Sequence, residues 1–161
     1  MGVARVHVRS WQVAYKGLLP APYLDALRPE DRASRYTFGR SDPTAPATVV
    51  AILDGVIQGF ATTAPAGDED LPGYGELYAL YIDPDCWGRG IGAALMREAR
   101  ARLKSAGFQN AMLWMLAGNV RAQQFYEKDG WRFDGKERTA PLWGIMTHDM
   151  RLRASLAPKA D

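Results

Sequence analysis

Residues 75–106, GELYALYIDPDCWGRGIGAALMREARARLKSA, read as a strand, a glycine-rich turn and a helix in direct succession, and this succession constrains the fold more than any other part of the chain. The stretch 75–83 is rich in Leu and Tyr and is stopped by Pro84. From Ile91 to Ala106, Ile91, Leu95, Ala99 and Leu103 recur every four residues on one face, while Arg97, Arg100, Arg102 and Lys104 lie elsewhere. Gly107 stands where a left-handed C-terminal residue belongs. Between strand and helix, Gly88, Gly90 and Gly92 pack three glycines into five positions. Glycine permits backbone conformations and close approaches that a Cβ would block. A helix N-terminus presents unpaired N–H groups and roughly half a positive charge. Together they make a cradle for an anion, most often phosphate.

Strands and helices interleave along the rest of the chain. Residues 4–15 read as a helix ended by Gly17 and Pro20, and residues 21–38 as one or two short helices broken at Pro29. Pro43 and Pro46 mark a loop. Residues 48–63 read as a hairpin, because Asp54-Gly55 suits a type I′ turn between β-branched runs. A polar loop covers 64–74, and 110–116 is a buried strand. Residues 119–130 form a helix with Asn119 as N-cap and Gly130 as its stop. The segments 131–137 and 144–153 read as two final strands, with RTAPLWG between them. With 161 residues and no boundary in this pattern, a single mixed α/β domain over 1–161 is expected.

Composition excludes more than it assigns. A formal charge of +2 is too small to imply nucleic acid by itself. One cysteine, Cys86, excludes an internal disulfide and fits a reducing compartment. No apolar run approaches the roughly 18 residues of a membrane span, and no signal peptide opens the chain, so a cytoplasmic protein without membrane contact is expected. His7 and His148 lack metal-ligand spacing, and no metal is expected. Cys86 has no His or Asn arrangement to make it a nucleophile.

The glycine cradle leaves several phosphates to consider. Residues 88–93, GRGIGA, formally satisfy the dinucleotide pattern, but the acidic residue about 20 positions on that would hold a ribose is missing. A nucleotide P-loop fails because no Gly-Lys-Ser/Thr follows. A tight turn that binds nothing stays open. Two blocks go further: LYIDPDCWGRGIGAALM at 80–96 and NVRAQQFYEKDGW at 119–131. On these, and on the opening VHVRSWQVAYKGLLP, the chain resembles the GCN5-related N-acetyltransferases (GNAT). It departs from their pattern at Trp87, where Gln or Arg is usual, and in starting with a helix where most members have a strand first.

The resemblance implies a mixed α/β fold: a mostly antiparallel, splayed central sheet with helices on both faces, its first strand missing or outside this chain. It implies acetyl-coenzyme A in the splay and N-acetyl transfer to a primary amine of a small molecule or peptide. The amides of Gly88, Arg89, Gly90, Ile91, Gly92 and Ala93 would hold the pyrophosphate, and Leu80, Tyr81 and Ile82 would pair with the pantetheine arm. Asn119 would touch the same arm. Tyr126 is the candidate general acid for the departing thiolate, and Glu76, 14 residues before Gly90, the candidate general base. Trp11, Tyr15, Tyr23 and residues 142–144 are candidates for either acceptor pocket or aromatic core. A non-catalytic acyl-coenzyme A binding module is the alternative, and a nucleic-acid binder using the basic helix the weaker rival. Assembly as a homodimer is left open.

Overall fold

The apolar side chains of the opening segment line one face of helix α1 (Gly2–Ala14), and Val3, Val6, Val8 and Trp11 are buried in the computed structural model. That structure describes every residue except 37, 39–41, 43 and 159–161; Pro43 therefore lies outside the described residues. Two short helices follow, α2 (Ala21–Ala26) and α3 (Pro29–Ala33). Pro29 separates them by opening α3, a position where a missing N–H would have been unpaired anyway.

Strands β1 (Ala47–Leu53) and β2 (Val56–Pro65) form the expected hairpin, with Asp54 and Gly55 both at positive φ, 51° and 75°. After β3 (Gly75–Ile82) and a 3₁₀ turn at Pro84–Cys86 come α4 (Ile91–Ser105), β4 (Asn110–Leu116), α5 (Val120–Lys128), β5 (Arg132–Leu142) and β6 (Ile145–Ser155). The sheet order is β1-β2-β3-β4-β6-β5. All neighbours are antiparallel except β3 and β4, which run parallel and pair only at Gly75↔Ala111 and Glu76↔Met112. Beyond Glu76 the two strands part. The expected splay is this gap.

Helices cover both faces. Leu80 packs with Leu95 and Leu103 of α4, whereas Ala79 and Tyr81 pack with α1 residues, as strand alternation requires. α1 is clasped to the end of β3 by polar contacts. Arg5 Nη1 and Arg9 Nε reach Asp83 Oδ2 at 2.8 and 2.9 Å, and Ser10 Oγ donates to the Ile82 carbonyl at 2.8 Å. Burial works to raise the pKa of Asp83, but hydrogen bonds from Arg9 and the Asp85 N–H, with the charges of Arg9 and Arg5, outweigh it and hold the carboxyl below its ordinary range.

Two expectations need correction or qualification. RTAPLWG is not a separate connection: β5 continues through Leu142, and only Trp143 and Gly144, at φ 53° and 77°, make the turn into β6. β5 is an edge strand, so the N–H that Pro141 lacks would have faced solvent. Trp143 tolerates its left-handed backbone because its ring stacks on Trp11, lies against His7 and carries Arg32 at 3.6 Å. Among the described residues no strand precedes α1, and the sheet has six strands. None of the described helices is long and apolar enough to cross a membrane.

Candidate active site

The parted ends of β3 and β4, the start of α4 and the inner side of α5 enclose a cavity of about 940 Å³. It is lined by Leu80, Tyr81, Ile82, Gly88, Gly90, Ile91, Gly92, Ala93, Asn119 and Tyr126. Two of the residues singled out in the sequence, Arg89 and Glu76, are not in that lining.

The glycines serve different ends. Gly90 is the N-cap of α4 at φ 81°, and Gly88 lies at φ 74°; a Cβ at either would meet nothing within 4 Å, so the backbone conformation itself demands glycine. Gly92 is helical, and a Cβ there would come within 3.2 Å of Phe125 and 3.3 Å of Ile82. Its smallness lets α4 press against α5. Arg89 instead lines a small neighbouring pocket with Ala51, Ile52 and Leu53 of β1, and its Nη1 lies 4.0 Å from Cys86 Sγ.

At the strand edge, the Asp83 N–H donates to the Gln58 carbonyl at 2.7 Å. By alternation the backbone of Tyr81 also faces β2, while Leu80 and Ile82 turn theirs into the gap. The Ile82 carbonyl already accepts from Ser10 Oγ and, at 3.1 Å, from Trp87 Nε1. The Leu80 N–H and C=O and the Ile82 N–H are left facing the cavity without a strand partner. Tyr81 contributes its phenol instead, 3.5 Å from the Tyr15 hydroxyl.

Tyr126 packs its ring against Phe125 and Trp131, and among the described residues its hydroxyl makes no hydrogen bond. Burial, then the neighbouring Tyr81 phenol, pushes its pKa well above that of an ordinary phenol, so the proton stays on the oxygen. Asn119 is the N-cap of α5, its Oδ1 accepting from the Ala122 N–H at 3.2 Å.

Glu76 stands at the last paired position of the β3–β4 seam, half-buried, just beyond the cavity where Leu77 and Tyr78 begin its lining. Burial, helped by the charge of Asp68 and opposed by Arg138, pushes its pKa up to about 7. Asp68 is itself held by Arg151 Nη1 at 2.9 Å and by Trp114 Nε1 at 3.4 Å, and Trp114 lines the cavity. Of the other candidates, Tyr15 reaches the cavity and Trp11 is core, 1% exposed. Tyr23 binds the Trp143 carbonyl at 2.8 Å. Arg100 pairs with Asp129 and Arg102 with Glu98.

Sequence reasoning missed Arg121, whose guanidinium carbon sits 3.5 Å above the centre of the Trp87 ring at the mouth of the cavity. It missed the Tyr15–Tyr81 pair as well. Both arise from tertiary packing, and no local pattern announces them.

Comparison with known proteins agrees with this fold. The model of the acetyltransferase (GNAT) family matches residues 8–131. A Bacillus subtilis protein named an uncharacterized N-acetyltransferase is 29% identical over 117 residues, 73% of this chain and 66% of its own length. A mycothiol acetyltransferase of Geodermatophilus obscurus is 39% identical over 66 residues, 41% of this chain and 21% of its own. The match therefore spans less than two thirds of either relative. Among solved structures, the PaiA N-acetyltransferase of Thermoplasma acidophilum, in complex with coenzyme A, superposes with a TM-score of 0.70 at 19% identity, over 94% of this chain and 89% of that one.

Proposed function

The chain belongs to the acetyltransferase (GNAT) family, and from that premise we propose that it is a single N-acetyltransferase domain moving the acetyl group of acetyl-coenzyme A to a primary amine of a small molecule or peptide. The observation that carries the reading is a coincidence in one cavity: a left-handed glycine cradle at a helix N-terminus, strand groups without a partner, and an unbonded tyrosine hydroxyl.

The cosubstrate supplies an activated acetyl thioester. The amides from Gly88 to Ala93 suit its pyrophosphate, and the N–H and C=O groups facing the gap at Leu80 and Ile82 suit the amides of its arm, as an added strand does. An N–H of the same edge polarises the thioester carbonyl. Tyr126 donates to the sulfur as it departs; its burial keeps the proton available throughout the neutral range. Glu76, ionising near pH 7, accepts the proton that the amine must lose. For a lysine-like amine that loss costs about 4.6 kcal/mol at pH 7, for an α-amine about 1.

The test is thiol release from acetyl-coenzyme A with a panel of peptide, sugar and polyamine amines, followed by mass spectrometry of the products. Amine-dependent release with an acetylated product is expected. Tight coenzyme A binding without release for any amine would favour the non-catalytic binding module.

A further inference from the structure

The glycine cradle offers backbone dipoles, and the arginine within it, Arg89, is not among the residues that line the cavity. A cation reaches the cavity mouth from a different element. Arg121, in the first turn of α5, lies with its guanidinium carbon 3.5 Å above the centre of the Trp87 ring, and both residues line the cavity beside Gly88 and Gly90. The Trp87 indole is fixed in turn, because its Nε1–H donates to the Ile82 carbonyl at 3.1 Å. Among the described residues Arg121 has no carboxylate and no hydrogen-bond acceptor, whereas Arg100, Arg102, Arg138 and Arg151 are all paired with acids. A guanidinium stacked through its face keeps its N–H edge for an anion, and phosphate oxygens match that edge in charge and spacing.

We propose that Arg121, seated on Trp87, is a positioning residue that holds the phosphate end of acetyl-coenzyme A from the α5 side. The inference rests on the function proposed above and deepens it. Here the indole occupies the loop, and the positive charge comes from α5. The same helix carries Tyr126 in its last turn.

Calorimetry with coenzyme A, dephospho-coenzyme A and S-acetylpantetheine tests this on the wild type, Arg121→Ala and Arg121→Lys. Arg121→Ala should bind coenzyme A about 10–100-fold more weakly, the worth of a charge-assisted hydrogen bond. Affinity for phosphate-free S-acetylpantetheine should match the wild type, and Arg121→Lys should recover part of the loss. With any accepted amine, the loss should appear in KM for acetyl-coenzyme A rather than in kcat. A loss that persists with dephospho-coenzyme A assigns the contact to the pyrophosphate; a loss that vanishes assigns it to the 3′-phosphate. Undiminished coenzyme A affinity in Arg121→Ala overturns the inference, as does equal weakening toward S-acetylpantetheine. If the wild type binds no coenzyme A at all, the proposed function falls first and takes the inference with it.

Discussion

Burial acts on Tyr126 and Glu76 in the same direction and with opposite chemical consequences. A phenol pushed up remains a donor; a carboxyl pushed up to about 7 becomes a base that switches on within the neutral range. Replacing Tyr126 with Phe removes one hydroxyl and keeps the ring between Phe125 and Trp131, so melting temperature and coenzyme A affinity should hold. Turnover should fall by roughly 10²–10⁴ in kcat. Near-normal kcat in steady-state assays would reduce Tyr126 to a packed aromatic. For Glu76 the readout is pH. The wild-type kcat/KM should rise as pH passes about 7, because the ionised carboxylate is the active form. In Glu76→Gln that rise should vanish, and the variant should recover only at high pH, where the free amine is abundant. An unaltered profile would hand the proton to water.

Among the elements, Gly90 permits a clean separation of binding from folding. Valine there would have to adopt φ 81°, a strain of about 1–2 kcal/mol on the backbone of the cradle. Coenzyme A binding by Gly90→Val should be severely weakened while circular dichroism remains native; a folded variant with unchanged affinity would remove the cradle from the argument. Local signals make much of this architecture legible in the sequence. Asp54-Gly55 specifies its own turn, Gly107 and Gly130 end helices, and the strand–loop–helix run through 75–106 needs no distant partner to be read. Legibility fails where the deciding contact is remote. Pro141 looks like a break until β5 is known to be an edge, and Trp143 looks like a loop residue until α1 is placed beneath it. Gly92 reads as part of the phosphate cradle, and only Phe125 across the α4–α5 contact shows what its missing Cβ is for. Arg121 is one arginine among many until Trp87 is brought under it.

On the scale of the whole molecule, the clasp between α1 and β3 concentrates stability at one buried carboxylate, 2% exposed. Asp83→Asn should cost about 1–3 kcal/mol in urea unfolding at pH 7, discounted because both arginines are partly in water. The folded pKa of Asp83 lies below its unfolded value, so its stabilisation is full above about pH 4 and is lost as pH falls through the folded value. The difference between wild type and variant should therefore shrink in acid; a difference independent of pH would assign the loss to packing. The two-pair seam between β3 and β4 reaches further still. It divides the sheet into two three-stranded leaves that share scarcely any backbone hydrogen bonds, and a cosubstrate arm lying in the gap would act as a removable seventh strand. Folding and catalysis would then draw on the same ladder: at a hundredfold excess over Kd, occupancy adds about 2.7 kcal/mol to the resistance of the native state. Each departure of coenzyme A would leave the two leaves freer to move apart, which ties the molecule's rigidity to the supply of its own reactant.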